Sequence, residues 1–149
     1  MAQFTLTTYL DLPLEQAAAL VEQPSTLFYV ARPLVFFRPV KGQDLPSRWQ
    51  EGTYWFRLYL WGIIPIGQQA VVISYPDGEN FSLLDDGHSW LIKQWRHLIR
   101  LTPEGQGCCY QDILEIEAGL LTSLVAGFAR LFYRHRQRRW LKLAEQFRP

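Results

Sequence analysis

Apolar and polar positions alternate with a period of two along most of this chain and switch to a helical period at its end. Gln3 to Leu10 alternates and is rich in Thr and aromatics, which predicts a strand. Pro13 to Glu22 opens on proline and continues with good helix formers, so a short helix is expected there and a second over Pro24 to Ala31. Strand character returns over Leu34 to Val40 and again over Thr53 to Trp61, which has aromatics on both faces. Ile63 to Tyr75 predicts a further strand, bulged near Pro65 or Gly67. A short strand, Phe81 to Leu84, falls between two expected turns, PDGEN and DDGHS. Trp90 to Leu101 and Cys108 to Glu117 then form a hairpin around TPEGQG.

From Ala118 to Pro149 the pattern is that of one long helix with two unlike halves. Ala118 to Ala129 has no charge, whereas Arg130 to Pro149 holds seven Lys/Arg and one Glu. At 100° per residue Leu121, Leu124, Val125, Phe128 and Phe132 share one arc. Tyr133, Arg136, Trp140, Leu143, Ala144 and Phe147 cluster on a second arc, about a quarter turn away. The first half is expected over a cavity, the second against the edge of the sheet, with His135 and Arg139 at a cavity mouth. An apolar half-helix needs a broad apolar surface to cover, and the preceding strands supply one. The order predicts an α+β fold: a curved antiparallel sheet of about six or seven strands around a long C-terminal helix, with two short helices after the first strand.

The 149 residues suit one domain, 1–149, with a sizeable core. Residues 1–129 hold eight basic and thirteen acidic side chains, so the chain is bipolar rather than generally basic, which argues against whole-surface nucleic-acid binding. The start lacks a basic and apolar leader pattern, and Leu58 to Pro76 is interrupted by Gly62, Pro65, Gly67, Gln68 and Gln69, so a soluble cytoplasmic protein is expected. Adjacent Cys108 and Cys109 point to opposite faces of a strand and read as reduced thiols. No phosphate loop, nucleophile elbow or zinc-protease helix is present in the sequence.

Three stretches carry a family resemblance. Trp95 to Asp112 (WRHLIRLTPEGQGCCYQD) resembles the penultimate hairpin of bacterial ligand-binding SRPBCC, or START-like, proteins, with Trp-x-His on one strand and a later Asp on the next. FYRHRQRRW (Phe132 to Trp140) resembles their last helix, and Arg48-Trp49 with Gly52-Thr53-Tyr54 resembles the entry to their central strands. The resemblance implies the helix-grip fold over nearly the whole chain. It implies only a broad function, since members bind or transform many apolar molecules. Relatives often carry a second His where this chain has Ile99, which puts any His-pair function in doubt.

If Thr102 faces Gly107, then Ile99 faces Tyr110, His97 faces Asp112 and Trp95 faces Leu114. His97 and Asp112 would form a buried cross-strand pair, able to serve as a general base, as a ligand anchor, or simply to satisfy each other. Lys93 would share their face, as a carboxylate anchor or a strand-end lysine reaching water. Glu115 and Glu117 read as a solvated face. Asp85, Asp86 and His88 read as a solvated turn without a complete metal-ligand set. Arg130, Arg134 and Arg138, spaced by four, line one exposed helix face.

The expected function is binding of a small hydrophobic or amphipathic molecule between sheet and helix. The expected lining is Tyr59, Trp95, Ile99, Tyr110, Leu114, Leu121, Leu124 and Phe128, with Lys93, His97 and Asp112 as polar contacts. Two alternatives stand beside it: a cyclase- or dehydratase-like enzyme using His97 held by Asp112, and a partner- or membrane-surface module using Arg130, Arg134 and Arg138. No cofactor or metal is expected, and the sequence leaves the ligand and the oligomeric state open.

Overall fold

The computed structural model describes residues 1–78 and 80–147. Glu79 of the predicted PDGEN turn and the predicted helix end at Arg148 and Pro149 lie outside the described residues. The chain runs β1 (Ala2–Leu10), α1 (Leu14–Val21), α2 (Pro24–Ala31), β2 (Val35–Pro39), β3 (Gly52–Leu60), β4 (Ile64–Ser74), β5 (Phe81–Ser89), β6 (Gln94–Glu104), β7 (Gly107–Glu117) and α3 (Thr122–Gln146). The strands form one antiparallel sheet in the order β1-β7-β6-β5-β4-β3-β2. This is the helix-grip arrangement, with seven strands, two short helices after the first and a long helix at the end.

The period-two pattern does what it dictates. Along β7, Cys108, Tyr110, Asp112, Leu114 and Ile116 are buried while the residues between them are only partly so. The expected bulge is real: Leu58 pairs with Gly67 and Tyr59 with Pro65, leaving Ile66 as the extra residue.

Three local expectations are corrected. First, DDGHS is not a turn; β5 continues through it to Ser89. Gly87 looks like a turn residue but is required inside the strand, because a Cβ there would lie 2.5 Å from the Ala70 carbonyl oxygen. Second, the β6–β7 hairpin closes through a two-residue turn, Gly105–Gln106, with Gly105 at φ +59, so Glu104 pairs with Gly107. His97 therefore faces Leu114, and Asp112 faces Ile99. The slip from the expected register is two residues, so every side chain keeps its expected face. Third, the α-helix begins at Thr122, after a 3-10 turn over Gly119–Leu121. Gly119 has φ +58, and the Thr122 hydroxyl accepts from the Ala118 N–H, fixing the entry.

α3 packs on α2, β1 and β7, so its second half lies along the β1 edge of the sheet. Trp140, Leu143 and Ala144 join one core with α1, Val30, Trp49 and Phe56. Ala129, Phe132 and Tyr133 join a second with Val35, Leu114 and Ile116. His135 and Arg139 are not at a cavity mouth. His135 Nε2 donates to the Arg32 carbonyl at 2.9 Å and Arg139 Nε to the Tyr29 carbonyl at 3.2 Å, tying α3 to α2.

Candidate functional site

Between the concave face of the sheet and the first half of α3 lies a pocket of about 420 Å³, a size usual for small-molecule sites. α3 presents Leu124, Val125, Phe128, Phe132, Tyr133 and Arg136 to it. The sheet contributes Phe37, Leu58, Val71 and Trp95, and the connection after β5 contributes Leu91 and Ile92. Polar groups are few: Gln68, Gln69, Asp85, Ser89, Tyr133 and Arg136.

The expected lining is only partly brought together here. Trp95, Leu124 and Phe128 border the pocket. Tyr59 lies on the opposite face of β3 from Leu58, beneath the Arg38 guanidinium at 4.6 Å. Tyr110 and Leu114 are fully buried in the core, and Ile99 borders a smaller void. Leu121 sits in the 3-10 turn, exposed. Lys93 lies in the β5–β6 connection, exposed, rather than on a strand.

His97 and Asp112 meet diagonally rather than directly across the strands. The buried Asp112 carboxylate accepts from His97 Nε2 at 2.6 Å, from the Tyr110 hydroxyl at 2.9 Å and from Gln137 Nε2 at 3.0 Å. Burial alone would raise the Asp112 pKa, but His97, the nearby Arg136 charge and Gln137 hold the carboxyl below its ordinary range. Burial lowers the His97 pKa despite the Asp112 partner, so the imidazole is neutral and its Nε2–H is the donor. The network joins β6, β7 and α3, and Gln137 extends it to the Leu6 carbonyl on β1 at 2.9 Å. Neither His97 nor Asp112 borders the main pocket.

Two residues of opposite charge do border it: Asp85, expected in a solvated turn but lying on β5, and Arg136, expected on the packing arc of the helix. Asp85 lies on the inner face of β5 with Leu83, Gly87 and Ser89. Its Oδ1 accepts the Val72 N–H at 2.9 Å, where the β4–β5 ladder passes from Ala70↔His88 to Ile73↔Asp85. Burial pushes its carboxyl up to about 7, with the Val72 N–H and Arg136 only partly offsetting this. It borders both the pocket and a smaller void.

Arg136 is 6% exposed and borders both the pocket and a void of about 50 Å³. Among the described residues its Nε has no hydrogen-bond partner, and neither has Trp140 Nε1 on the same void. Such a void admits one or two water molecules. The guanidinium lies 4.9 Å from the Tyr133 ring centre and 5.8 Å from that of Phe132. Burial disfavours its charge, but the surrounding acidic groups, Asp112 and Asp85 among them, outweigh this and Arg136 stays cationic.

The mouth has its own character. The β3–β4, β5–β6 and β7–α3 connections fall at one end of the antiparallel sheet. There Trp61, Ile63, Trp90, Leu120 and Leu124 are largely exposed. Ile66, Leu91 and Leu124 both line the pocket and reach solvent. Among the described residues, no helix is long and apolar enough to cross a membrane, and no cluster of His, Cys, Asp or Glu is arranged to hold a metal ion.

Comparison with known proteins matches this architecture. Protein NE0264 from Nitrosomonas europaea superposes with a TM-score of 0.70 at 13% identity, over 97% of this chain and 94% of that one. Protein CV1439 from Chromobacterium violaceum gives 0.69 at 13% identity, over 96% and 97%. A START superfamily protein from Mycobacterium smegmatis gives 0.67 at 11% identity, over 98% and 99%. At these identities the likeness is one of fold. No curated protein matches the sequence. The family model described as "Domain of unknown function (DUF8410)" matches residues 32–147. A START-like helix-grip protein by fold, the chain belongs to the DUF8410 family.

Proposed function

We propose that the protein binds a small apolar or amphipathic molecule in the pocket beneath α3. The observation that carries this reading is a mainly apolar hollow of about 420 Å³ whose polar groups are few and confined. Burial of apolar ligand surface would supply most of the affinity, at about 25 cal/mol per Å² before association costs. The pair His97–Asp112 sits behind the pocket with its hydrogen bonds already made, which favours a structural role over that of a base. Val125→Trp should fill the space. Binding of the neutral fluorescent probe N-phenylnaphthylamine should then fall at least about tenfold, with the melting temperature kept or raised. Undiminished probe binding by a folded V125W variant would count against the pocket as the site.

The exposed rim favours a second reading: the pocket mouth rests on a lipid surface while ligand enters or leaves. Each connection at the mouth offers large apolar side chains, two of them Trp, the residue that settles best at a membrane interface. Within residues 61–63, 90–93 and 118–121 the charged residue is Lys93, and none is acidic. Arg130, the first of the exposed arginines, lies ~9 Å along α3 beyond Leu124, so this reading moves surface contact from the arginine face to the mouth. Joint Trp61→Ser and Trp90→Ser replacement should lower partition to phosphatidylcholine–phosphatidylserine vesicles by about tenfold or more. Reversal of Arg134 and Arg138 to Glu should have little effect. The opposite ranking would return the contact to the arginines.

A further inference from the structure

Resting on the reading that the pocket binds an amphipathic molecule, we propose that its ligand is a monocarboxylate whose head group pairs with Arg136 and accepts a hydrogen bond from Asp85. A guanidinium nine-tenths buried ordinarily has a carboxylate beside it. Arg136 has none in contact: among the described residues its Nε is without a hydrogen-bond partner and no ion pair joins it to Asp85 or Asp112, although both lie near enough to favour its charge. The Asp112 carboxylate is taken up by His97, Tyr110 and Gln137. Asp85 borders the same pocket and the same void as Arg136, with one oxygen held by the Val72 N–H.

The surrounding polar groups are short of acceptors. The Tyr133 hydroxyl accepts from Trp95 Nε1 at 2.9 Å and keeps its own proton to donate into the pocket. Gln69 Nε2 and Asp85 Oδ1 each lie 3.0 Å from the point where a Cβ on Gly87 would stand, so the missing side chain leaves them room side by side. A planar carboxylate suits this set. Its two oxygens fit the guanidinium fork, and its single charge matches the single cation. A phosphate dianion would place a second negative charge beside Asp85 and Asp112 with no further cation to meet it.

The same geometry makes binding depend on pH. Asp85 must be protonated to donate to the ligand carboxylate; ionised, it repels it. The titratable groups around it are Arg136 and Tyr133 on α3, His97 opposite it on β6 and Asp86 beside it on β5, with Asp112 and Tyr110 on β7 neighbouring Arg136. β4 has no titratable side chain. With its carboxyl held up at about 7, Asp85 is protonated below neutrality and lost as a donor above it.

Calorimetric titration with the straight-chain acids from hexanoate to dodecanoate and with the matching alcohols tests this. At about pH 6 the folded protein should bind the best carboxylate at least about tenfold more tightly than its alcohol. Arg136→Met should abolish that preference while alcohol binding persists. Asp85→Asn, which keeps the shape and a donor, should bind carboxylate equally at about pH 6 and about pH 8.5, where the native protein weakens by about tenfold. Alcohol bound without a carboxylate preference, or a preference surviving in R136M, overturns the carboxylate assignment alone. Failure of every acid and alcohol to bind the folded protein overturns the pocket reading and this proposal with it.

Discussion

Asp112→Ala should cost about 3–5 kcal/mol of folding stability, a large share of the about 5–15 kcal/mol by which a domain of this size is held folded. The expectation follows from what the carboxylate holds. Its oxygens take hydrogen bonds from His97, Tyr110 and Gln137, and Asp112, Tyr110 and His97 are all sealed from solvent. Alanine would leave three buried donors without an acceptor, each carrying a desolvation penalty. It would also leave Arg136 without the negative charge that lies behind it. Asp112→Asn keeps an oxygen for His97 and the packing volume, so its loss should be about half as large or less. Chemical denaturation midpoints of the three proteins check this. Near-native stability of D112A would mean that the network contributes little, and that the donors find water instead.

Asp85→Asn should act in the other direction, and only above acid pH. In the folded protein the carboxyl titrates at about 7, against about 4 in the unfolded chain. Between those values the folded state holds the proton that the unfolded state has released, so native stability falls as pH rises through this window. Three units correspond to at most about 4 kcal/mol, and relaxation toward the pocket will reduce it. Asparagine carries no such penalty and still accepts from the Val72 N–H. Melting temperatures should therefore coincide near about pH 4 and separate with D85N higher by about pH 8. The comparison between the two proteins isolates Asp85, because neutral His97 adds an opposite trend common to both. Parallel curves at every pH would show that the carboxyl is ionised in the folded protein at no cost. A stabilising variant at a residue bordering a pocket would also fit a group kept for binding rather than for the fold.

The architecture was open to reading because it rests on periodicity. The strand pattern marked all seven strands, β5 only in its first half, and the uncharged half-helix required a surface to cover. Even the hairpin register, misplaced by a four-residue loop where two residues suffice, left His97 and Asp112 within reach, because a slip of two preserves the face. What escaped was local chemistry disguised by composition. Asp85 stood in a run of Asp, Gly, His and Ser, all turn formers, and nothing in the run shows that Gly87 is there to let β4 approach. Arg136 was masked by its neighbours in a basic stretch. A signal for it did exist: it falls on the arc of Tyr133, Trp140 and Leu143, so a charge was already placed among packed side chains. Tyr59 reads as inward by its aromatic type and Lys93 by its parity with His97, and neither signal holds. Tyr59 alternates out of phase with Phe56 and Leu58, and Lys93 precedes β6.

The placement of β1 beside β7 sets the order in which this molecule can assemble. From β2 to β7 each strand pairs with its successor in sequence, so that meander grows by short-range closures. The first strand instead waits for the last, with Ala2 joining Ile116 and Leu10 joining Cys108 across nearly the whole chain. Its ladder costs the most loop entropy and so zips up late. Until it does, Gln137 lacks the Leu6 carbonyl and the Asp112 network hangs from three elements rather than four. The register of the helix over its pocket is thus fastened by the first of the seven strands, docked among the last.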